Sequence, residues 1–494
     1  MGSVRNITRQ CDPQQMTTAL TVDPAPAVLI PRRAKAKSAV HKIALGVVWV
    51  TIALGFFVFS EPAPIDALTI GLFALLPAVG LFDAKRGIAG GFAVWLLITA
   101  CTAISCILAR DTAEATMHSA VSFYLYGACF LFAGFVAKNP QAHARLIINA
   151  YFTATIIGAV LGVIGYLDLF PGAFDLLTRY GRASGTFKDP NVFGPFLVPG
   201  LVTALHLWLV RPIARGFLPL MAAALITLAI LFTFSRGAWA ASAIALAVYG
   251  YVYLQMAERN AERLKLAGLV VVGTAILGLV LAAALQSDGI SKLLEERAAL
   301  TQSYDEGVEG RFGGQEKAFG LALENPFGIG AQAFTHYYHH EEAHNVYLSM
   351  LLNAGWAGGL LYLILCAGTL VLGFQHALKP TKTQPLFLII FAALAGNIIE
   401  GYLIDTDHWR HFYLLMGVVW GLMASDRRPV RKARIVRDCR PILMRNVLIV
   451  PPSRRGNRIL GRLPPRLSLV QQGLTYPRRQ PGARRDARIL SDTG

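Results

Sequence analysis

Twelve apolar runs, each close to the length of a membrane span, organise this sequence. They lie near residues 42–59, 65–82, 88–109, 120–137, 146–169, 191–210, 217–234, 237–254, 266–286, 346–374, 386–404 and 412–425. A helix needs about 20 largely apolar residues to cross a bilayer. Only 15% of the chain is charged, well below the roughly 25% of soluble domains. The pattern predicts an all-α, polytopic integral membrane protein with about twelve transmembrane helices.

Basic residues in the short loops predict the orientation of these helices. They occur in alternate loops, at Lys85 and Arg86, Lys138 and Arg145, Arg211 and Arg215, Arg259, Arg263 and Lys265, and Lys379 and Lys382. Because short basic loops favour the cytoplasmic side, we expect both termini in the cytoplasm. Two long loops, 170–190 and 287–343, then face outward.

Polar segments flank the predicted membrane domain of residues 42–425. Residues 1–41 lack the apolar core of a signal peptide, and we expect a disordered cytoplasmic arm. The tail, 426–494, is basic: residues 427–494 hold 17 Arg and one Lys against three Asp, which accounts for +15 of the net +17. Such a juxtamembrane segment is attracted to anionic lipid. No nucleic-acid-binding module accompanies it, so no nucleic-acid partner is expected.

Four segments on the predicted outer face carry basic residues that suit an anionic substrate. Arg182 and Lys188 lie in RYGRASGTFKDPNVFGPFLVPG, Arg236 in FTFSRGAWAA, Arg311 in EGRFGGQEKAFG, and His344 in YYHHEEAHNVYLS. A guanidinium is always charged and fits phosphate oxygens in pairs. Together, these residues predict a site for a lipid-linked anion.

Each segment also has a structural interpretation when it is taken alone. Asp189 is expected to cap a helix that Pro190 starts. Arg236, in a very short turn, would extend to the lipid headgroups, and Arg311 would be a solvated charge.

The ordered motifs across roughly residues 140–425 resemble those of the O-antigen ligase and polymerase superfamily. The similar stretches are Arg182 with GTFKDPNVFGPFL, FSRGAW, GRFGGQEKAFGLALENPFGIG and AHNVYLSMLLNAGWAGGLLYL. The resemblance implies a multi-pass protein of the bacterial inner membrane with a large periplasmic loop. It also implies glycan transfer from undecaprenyl pyrophosphate to an acceptor sugar hydroxyl at the periplasmic face, without a cofactor.

The resemblance assigns roles residue by residue. His344 matches the histidine that helps to activate the acceptor hydroxyl, and Arg311 matches the catalytic loop arginine. Arg182 and Arg236 match the arginines that hold the pyrophosphate. Further candidates are Lys188 for the pyrophosphate, and Asn345, Tyr347 and Asn191 as supporting residues.

The acceptor separates two activities within the superfamily. A ligase transfers O-antigen to the lipid A core, whereas a polymerase extends a growing O-antigen or exopolysaccharide. The signature residues are shared, so both remain open, with the ligase preferred because the match is to the domain typified by that activity.

A metalloprotease is one alternative, because His340-Glu-Glu-Ala-His344 spells H-E-x-x-H. That motif binds zinc when both histidines lie on one helical face with a third ligand, for which Asp405 or Asp407 is available. We interpret the match as coincidental, with the helix starting near Asn345. The six cysteines show no spacing typical of a disulfide framework or metal site, and no metal is predicted.

A transporter is the alternative from another class, since about twelve spans are common among transporters. Few ionisable residues lie in the apolar runs, chiefly His206 and Glu400, with His118 at a boundary. Because intramembrane charge marks ion and substrate paths, a centrally placed Glu400 would favour transport.

Overall fold

The computed structural model describes residues 32–284 and 310–425, together with the single residues 286 and 307. Its helices are α1 (Arg32–Ala53), α2 (Pro64–Ala78), α3 (Arg86–Leu108), α4 (Thr112–Lys138), α5 (Pro140–Tyr166), α6 (Ala173–Leu177), α7 (Pro190–Val210), α8 (Phe217–Phe232), α9 (Arg236–Met256), α10 (Asn260–Ala284), α11 (Arg311–Glu324), α12 (Ala333–Tyr337), α13 (Val346–Ala377), α14 (Gln384–Glu400) and α15 (Arg410–Ser425).

The only strands among the described residues form one short hairpin. Strands β1 (Thr178–Arg179) and β2 (Arg182–Ala183) pair antiparallel, with Thr178 opposite Ala183. The hairpin lies inside the predicted outer loop 170–190.

Each of the twelve apolar runs coincides with a helix, which confirms an all-α, multi-pass membrane protein. Within residues 32–284 and 310–425, seven helices are long and apolar enough to cross a membrane: α1, α3, α4, α5, α7, α9 and α13. The apolar helices α2, α8 and α14 are shorter; the 15 residues of α2 extend about 22 Å, less than the roughly 30 Å hydrocarbon core. The count of twelve spans and the side on which each loop lies stay predictions.

The predicted boundary between the amino-terminal arm and the membrane domain can be compared with the start of α1. Helix α1 begins at Arg32, ten residues before the apolar run, so the end of the predicted arm is helical. Alanine, lysine and arginine, which dominate this stretch, all favour helix. Residues 1–31, most of the loop segment 287–309, and the tail 426–494 lie outside the described residues.

Close helix packing builds the core around α4, α14 and α15. At Gly417 and Gly421 of α15, an added Cβ would lie 2.5 Å from the carbonyl oxygens of Cys129 and Ala133 of α4. Small residues allow helix backbones to approach this closely, which is how helices associate within a membrane. These two glycines therefore allow α15 to pack directly against the backbone of α4.

A kink in α13 joins the large loop to the helix bundle. Gly355, within the NAGWAGG stretch, has φ 65° and ψ −175° and interrupts the helix. The Trp356 amide donates to the Pro326 carbonyl (2.9 Å) and the Trp356 indole to the Ala322 carbonyl (2.6 Å). The end of α11 and the turn after it are thereby docked against α13.

Candidate functional site

A cavity of about 340 Å³ brings several predicted site residues together. Its polar wall includes Lys188, His344 and Arg410, and its apolar wall includes Ile52 of α1 and Phe196 of α7. The cavity thus combines basic groups with a surface on which a hydrocarbon chain can lie.

His344 enters this cavity from the segment that precedes α13. Its backbone has φ 48°, a left-handed conformation that is uncommon for residues other than glycine. Asn345 caps the helix, its side-chain oxygen accepting from the amides of Tyr347 (3.1 Å) and Leu348 (3.3 Å). The prediction that the helix starts at this point is confirmed.

The environment of His344 favours its neutral form. Burial is the main cause that lowers the pKa of the imidazole, and the positive charge of Arg311 lowers it further. Glu341, whose carboxylate lies 3.4 Å from Nε2, and Asp189 act in the opposite direction. A neutral imidazole can accept a proton, and the Glu341 carboxylate would stabilise the resulting cation.

The start of α7 positions two of the predicted residues at the cavity. The Asp189 carboxylate accepts a hydrogen bond from the backbone amide of Asn191 at 2.7 Å, and Pro190 is the first residue of the helix. The predicted cap is therefore confirmed. Lys188 and Asn191 both line the cavity, and Lys188 forms an exposed ion pair with Glu61 at 3.2 Å.

Arg182 lies behind the cavity wall in the structure. It is 6% exposed; its Nε donates to the Thr233 carbonyl at 2.6 Å, and its Nη2 donates to the Asn191 side-chain oxygen at 2.7 Å. Arg182 is not among the described residues that line the cavity, and its bond to Asn191 holds that residue in place. Direct contact with a pyrophosphate stays a prediction.

Arg236 and Arg311 are each the first residue of a helix. Arg236 follows Ser235, whose hydroxyl oxygen caps α9 by accepting from the Ala238 amide at 3.3 Å. Arg311 opens α11 within electrostatic range of His344. Neither side chain belongs to the described part of the cavity wall.

Tyr347 supports the site through the backbone. Its buried hydroxyl donates to the Ile398 carbonyl of α14 at 2.7 Å, and the amide of Val346 donates to the Gly401 carbonyl at 2.9 Å. These contacts fix the first turn of α13, which directly follows His344 and Asn345, against the end of α14.

Arg410 is a cavity residue that the sequence motifs did not reveal. Its Nε and Nη2 donate to both carboxylate oxygens of Asp66, at 2.7 and 2.8 Å. The Tyr124 hydroxyl also donates to Asp66 at 3.2 Å, and Glu61 lies 3.7 Å from Arg410. The available signal was the position of Arg410 at the start of the last apolar run, near its predicted outer end.

A group of acidic side chains lines the cavity together with His344. Glu342, Asp405 and Asp407 all line it, and Ser349 donates to Asp405 at 2.5 Å. Burial and the neighbouring carboxylates of Asp407 and Glu342 raise the pKa of Asp405 well above its usual range. The sequence analysis considered Asp405 and Asp407 only as protease ligands.

The comparison with known families adds to this geometry. Residues 221–363 match the model of the O-antigen ligase family. The resemblance predicted from the motifs is thereby confirmed. No curated protein matches the chain.

The O-antigen ligase match spans part of the site. It runs from residue 221, within α8, to the middle of α13, and therefore includes Arg236, Arg311 and His344. Arg182, Lys188 and Asn191 precede the matched segment. Members of this family are glycosyltransferase-like ligases and polymerases that act on lipid-linked glycans.

The H-E-x-x-H sequence does not form a zinc-protease helix. Residues 340–345 have no helical structure and α13 begins only at Val346. His340 and His344 therefore do not lie one turn apart on a helical face, as that chemistry requires.

Glu400 does not occupy the position that would favour transport. It is the last residue of α14 and is 1% exposed. An added Cβ on Gly237 of α9 would lie 2.7 Å from its carboxylate. Glu400 thus lies beside the first turn of α9, at the end of an apolar helix instead of its middle.

Proposed function

We propose that the protein transfers a glycan from undecaprenyl pyrophosphate to an acceptor sugar hydroxyl at the periplasmic face of the bacterial inner membrane. The proposed activity is that of an O-antigen ligase, with the lipid A core as acceptor. The observation that carries it is the position of His344, which belongs to the matched O-antigen ligase segment and lines a cavity with both basic and apolar walls.

The apolar wall supports a polyprenyl donor. Ile52, Phe132, Phe196 and Leu414 line the cavity from four different helices. Burial of a hydrocarbon chain contributes about 0.8 kcal/mol for each methylene group removed from water. A long lipid tail held partly in the bilayer and partly on this wall would deliver its pyrophosphate to the polar residues.

The basic wall supports binding of the pyrophosphate. Lys188 is paired with Glu61, but both side chains are about half exposed, and such exposed pairs contribute only about 0–1 kcal/mol. A pyrophosphate can therefore replace Glu61 as the partner of Lys188. Asn191 adds a side-chain amide that Arg182 holds in place.

The proposed reaction is a displacement at the anomeric carbon of the donor glycan. His344 accepts the proton of the acceptor hydroxyl while the hydroxyl oxygen forms the new bond to that carbon, with inversion. The bond from the carbon to the pyrophosphate oxygen breaks, and undecaprenyl pyrophosphate leaves with the electron pair. Arg311 and Lys188 stabilise the negative charge that grows on the leaving group. The donor is already activated, so the step needs no nucleotide.

Transfer by purified protein tests this proposal. The full chain in proteoliposomes receives an undecaprenyl-pyrophosphate-linked glycan and a lipid A core acceptor, and the product is quantified by mass spectrometry. We expect His344→Ala to lower the transfer rate by about 100-fold or more, the usual contribution of a general base. His340→Ala, which removes a neighbouring histidine that is 58% exposed, should leave the rate unchanged.

The acceptor used in the same assay distinguishes the two family activities. Product on the lipid A core supports the ligase. Product formed only when a second lipid-linked glycan is offered identifies a polymerase. Equal rates for wild type and His344→Ala with both acceptors would contradict the proposed catalytic role.

A further inference from the structure

Two histidines and an aspartate converge on one side of the cavity. His118 belongs to α4, whereas Asp407 and His408 lie in the segment between α14 and α15. One potential ligand atom from each lies within 4.8 Å of the other two. The His118 and His408 rings are 3.9 Å apart at 35°, and all three residues line the cavity.

A hydrogen-bond chain orients the His408 ring. Its Nε2 lies 2.9 Å from the Ser122 hydroxyl oxygen, which lies 3.3 Å from the His118 carbonyl. When Nε2–H donates to Ser122 and Ser122 donates to the carbonyl, Nδ1 of His408 carries a free lone pair. Metal-binding histidines are held in this way, since the second ring nitrogen donates to a fixed partner.

The Asp407 side chain lies in an acidic part of the cavity. The residue is 7% exposed, and its backbone carbonyl accepts from the Tyr413 hydroxyl at 2.7 Å. Glu342 and Asp405 also line the cavity. Buried carboxylates are paired or coordinate metals, so a cation placed here would offset this local negative charge.

We propose that His118, Asp407 and His408 bind a divalent transition-metal ion of the zinc type. Two imidazoles and one carboxylate are ligands that such an ion prefers, whereas Mg²⁺ and Ca²⁺ select oxygen ligands. With bonds of about 2.1 Å, tetrahedral ligand atoms lie roughly 3.4 Å apart, so the three groups would draw closer on binding. Three protein ligands leave a fourth position for a water molecule or a substrate oxygen from the cavity.

This site would join α4 to the segment that leads into α15. The proposed glycan transfer does not depend on it, because His344 and the three metal ligands are different residues. The alternative is that the two rings stack as a metal-free pair.

Zinc titration of the purified full chain distinguishes these possibilities. The protein is stripped with a chelator in detergent, titrated with Zn²⁺ by calorimetry, and examined by X-ray absorption at the zinc edge. We expect one tightly bound zinc ion per chain, with nitrogen and oxygen neighbours and the scattering pattern of two imidazoles. Mg²⁺ should not compete.

Matched histidine variants locate the bound ion. His118→Ala and His408→Ala should each weaken zinc binding by at least about 10-fold. The control variant, His340→Ala, removes an exposed histidine and should bind zinc as tightly as wild type. Absence of tight zinc binding, or unchanged binding by the His118→Ala/His408→Ala double variant, would overturn the proposal. If these variants do not fold, the wild-type absorption spectrum decides: sulfur neighbours or a single imidazole would overturn it.

Discussion

His344 shows how one residue combines an unusual backbone with a tuned side chain. Its left-handed backbone immediately precedes the Asn345 cap, so the residue lies outside the helix while its neighbours are fixed by α13. The side chain is 31% exposed, and its charge state depends on Arg311 and Glu341. The order of these residues along the chain indicated a site, but only the fold brings Arg311 near His344.

The pH dependence of transfer should report the charge state of His344. Burial and Arg311 lower the pKa of His344. The imidazole therefore stays neutral at solution pH values below the ordinary histidine pKa of about 6.5. We expect kcat/KM to fall only at more acidic pH than this. The measurement is a pH profile of transfer in proteoliposomes.

Variants at Arg311 provide the control for this profile. Arg311→Gln removes a positive charge, so the pKa of His344 should rise and the acidic limb should move to higher pH, in addition to any loss of rate. Arg311→Lys keeps the charge and should keep the limb in place. An acidic limb that does not move in Arg311→Gln would contradict the assignment of His344 as the titrating base.

The sequence alone did not identify Arg410 as a cavity residue. Asp66 and Arg410 are separated by 344 positions, and no local motif links them. His344 and Asn345 were identifiable because a helix cap and a family motif lie together in the sequence. Asp66 was overlooked because it lies within an apolar run, where its carboxylate is matched only through tertiary packing.

The contact between α2 and α15 should depend on the Asp66–Arg410 pair. Asp66→Asn leaves the Arg410 charge, which is 24% exposed, without its carboxylate. Removing one partner of such a pair costs about 3 kcal/mol. We expect a clearly lower Tm for the purified protein in detergent, measured by intrinsic fluorescence.

Glu61→Gln is the matched control, because Glu61 is 55% exposed and lies 3.7 Å from the same guanidinium. Its effect on unfolding should stay within about 0.5 kcal/mol, as for most surface changes. If the two variants lower the Tm equally, the paired geometry at Asp66 has no special role.

The kink of α13 should require glycine at position 355. Its φ and ψ of 65° and −175° belong to a region that only glycine adopts readily, at a cost of about 1–3 kcal/mol for other residues. An added Cβ would also lie 2.6 Å from the Pro326 carbonyl. Gly355→Ala should therefore lower both the Tm and the transfer rate, because it displaces the loop from α13.

Gly368→Ala tests whether any alanine in this helix has the same effect. An added Cβ at Gly368 meets no atom within 4 Å, and alanine favours helix by up to about 1 kcal/mol over glycine. We expect an unchanged or slightly higher Tm. A similar loss in both variants would contradict a specific requirement at the kink.

At the scale of the whole molecule, the sequence predicted the helices better than the cavity. Twelve apolar runs coincide with twelve helices because the length and composition of a span are local properties. The hairpin at β1 and β2, the early start of α1 and the group of His118, Asp407 and His408 were not predicted. The first two are local features that the apolar pattern does not report, whereas the third depends on contact between α4 and the segment before α15.

Transfer by His344 from a lipid-linked donor can be tested in cells. A deletion strain carries the wild-type gene, His344→Ala or His340→Ala at matched protein levels. Lipopolysaccharide is separated on a gel, and lipid-linked and secreted polysaccharide are assayed in parallel. Wild type and His340→Ala should restore long O-antigen on the lipid A core, while His344→Ala accumulates lipid-linked polymer. If His344→Ala matches wild type in every assay, His344 does not perform the transfer.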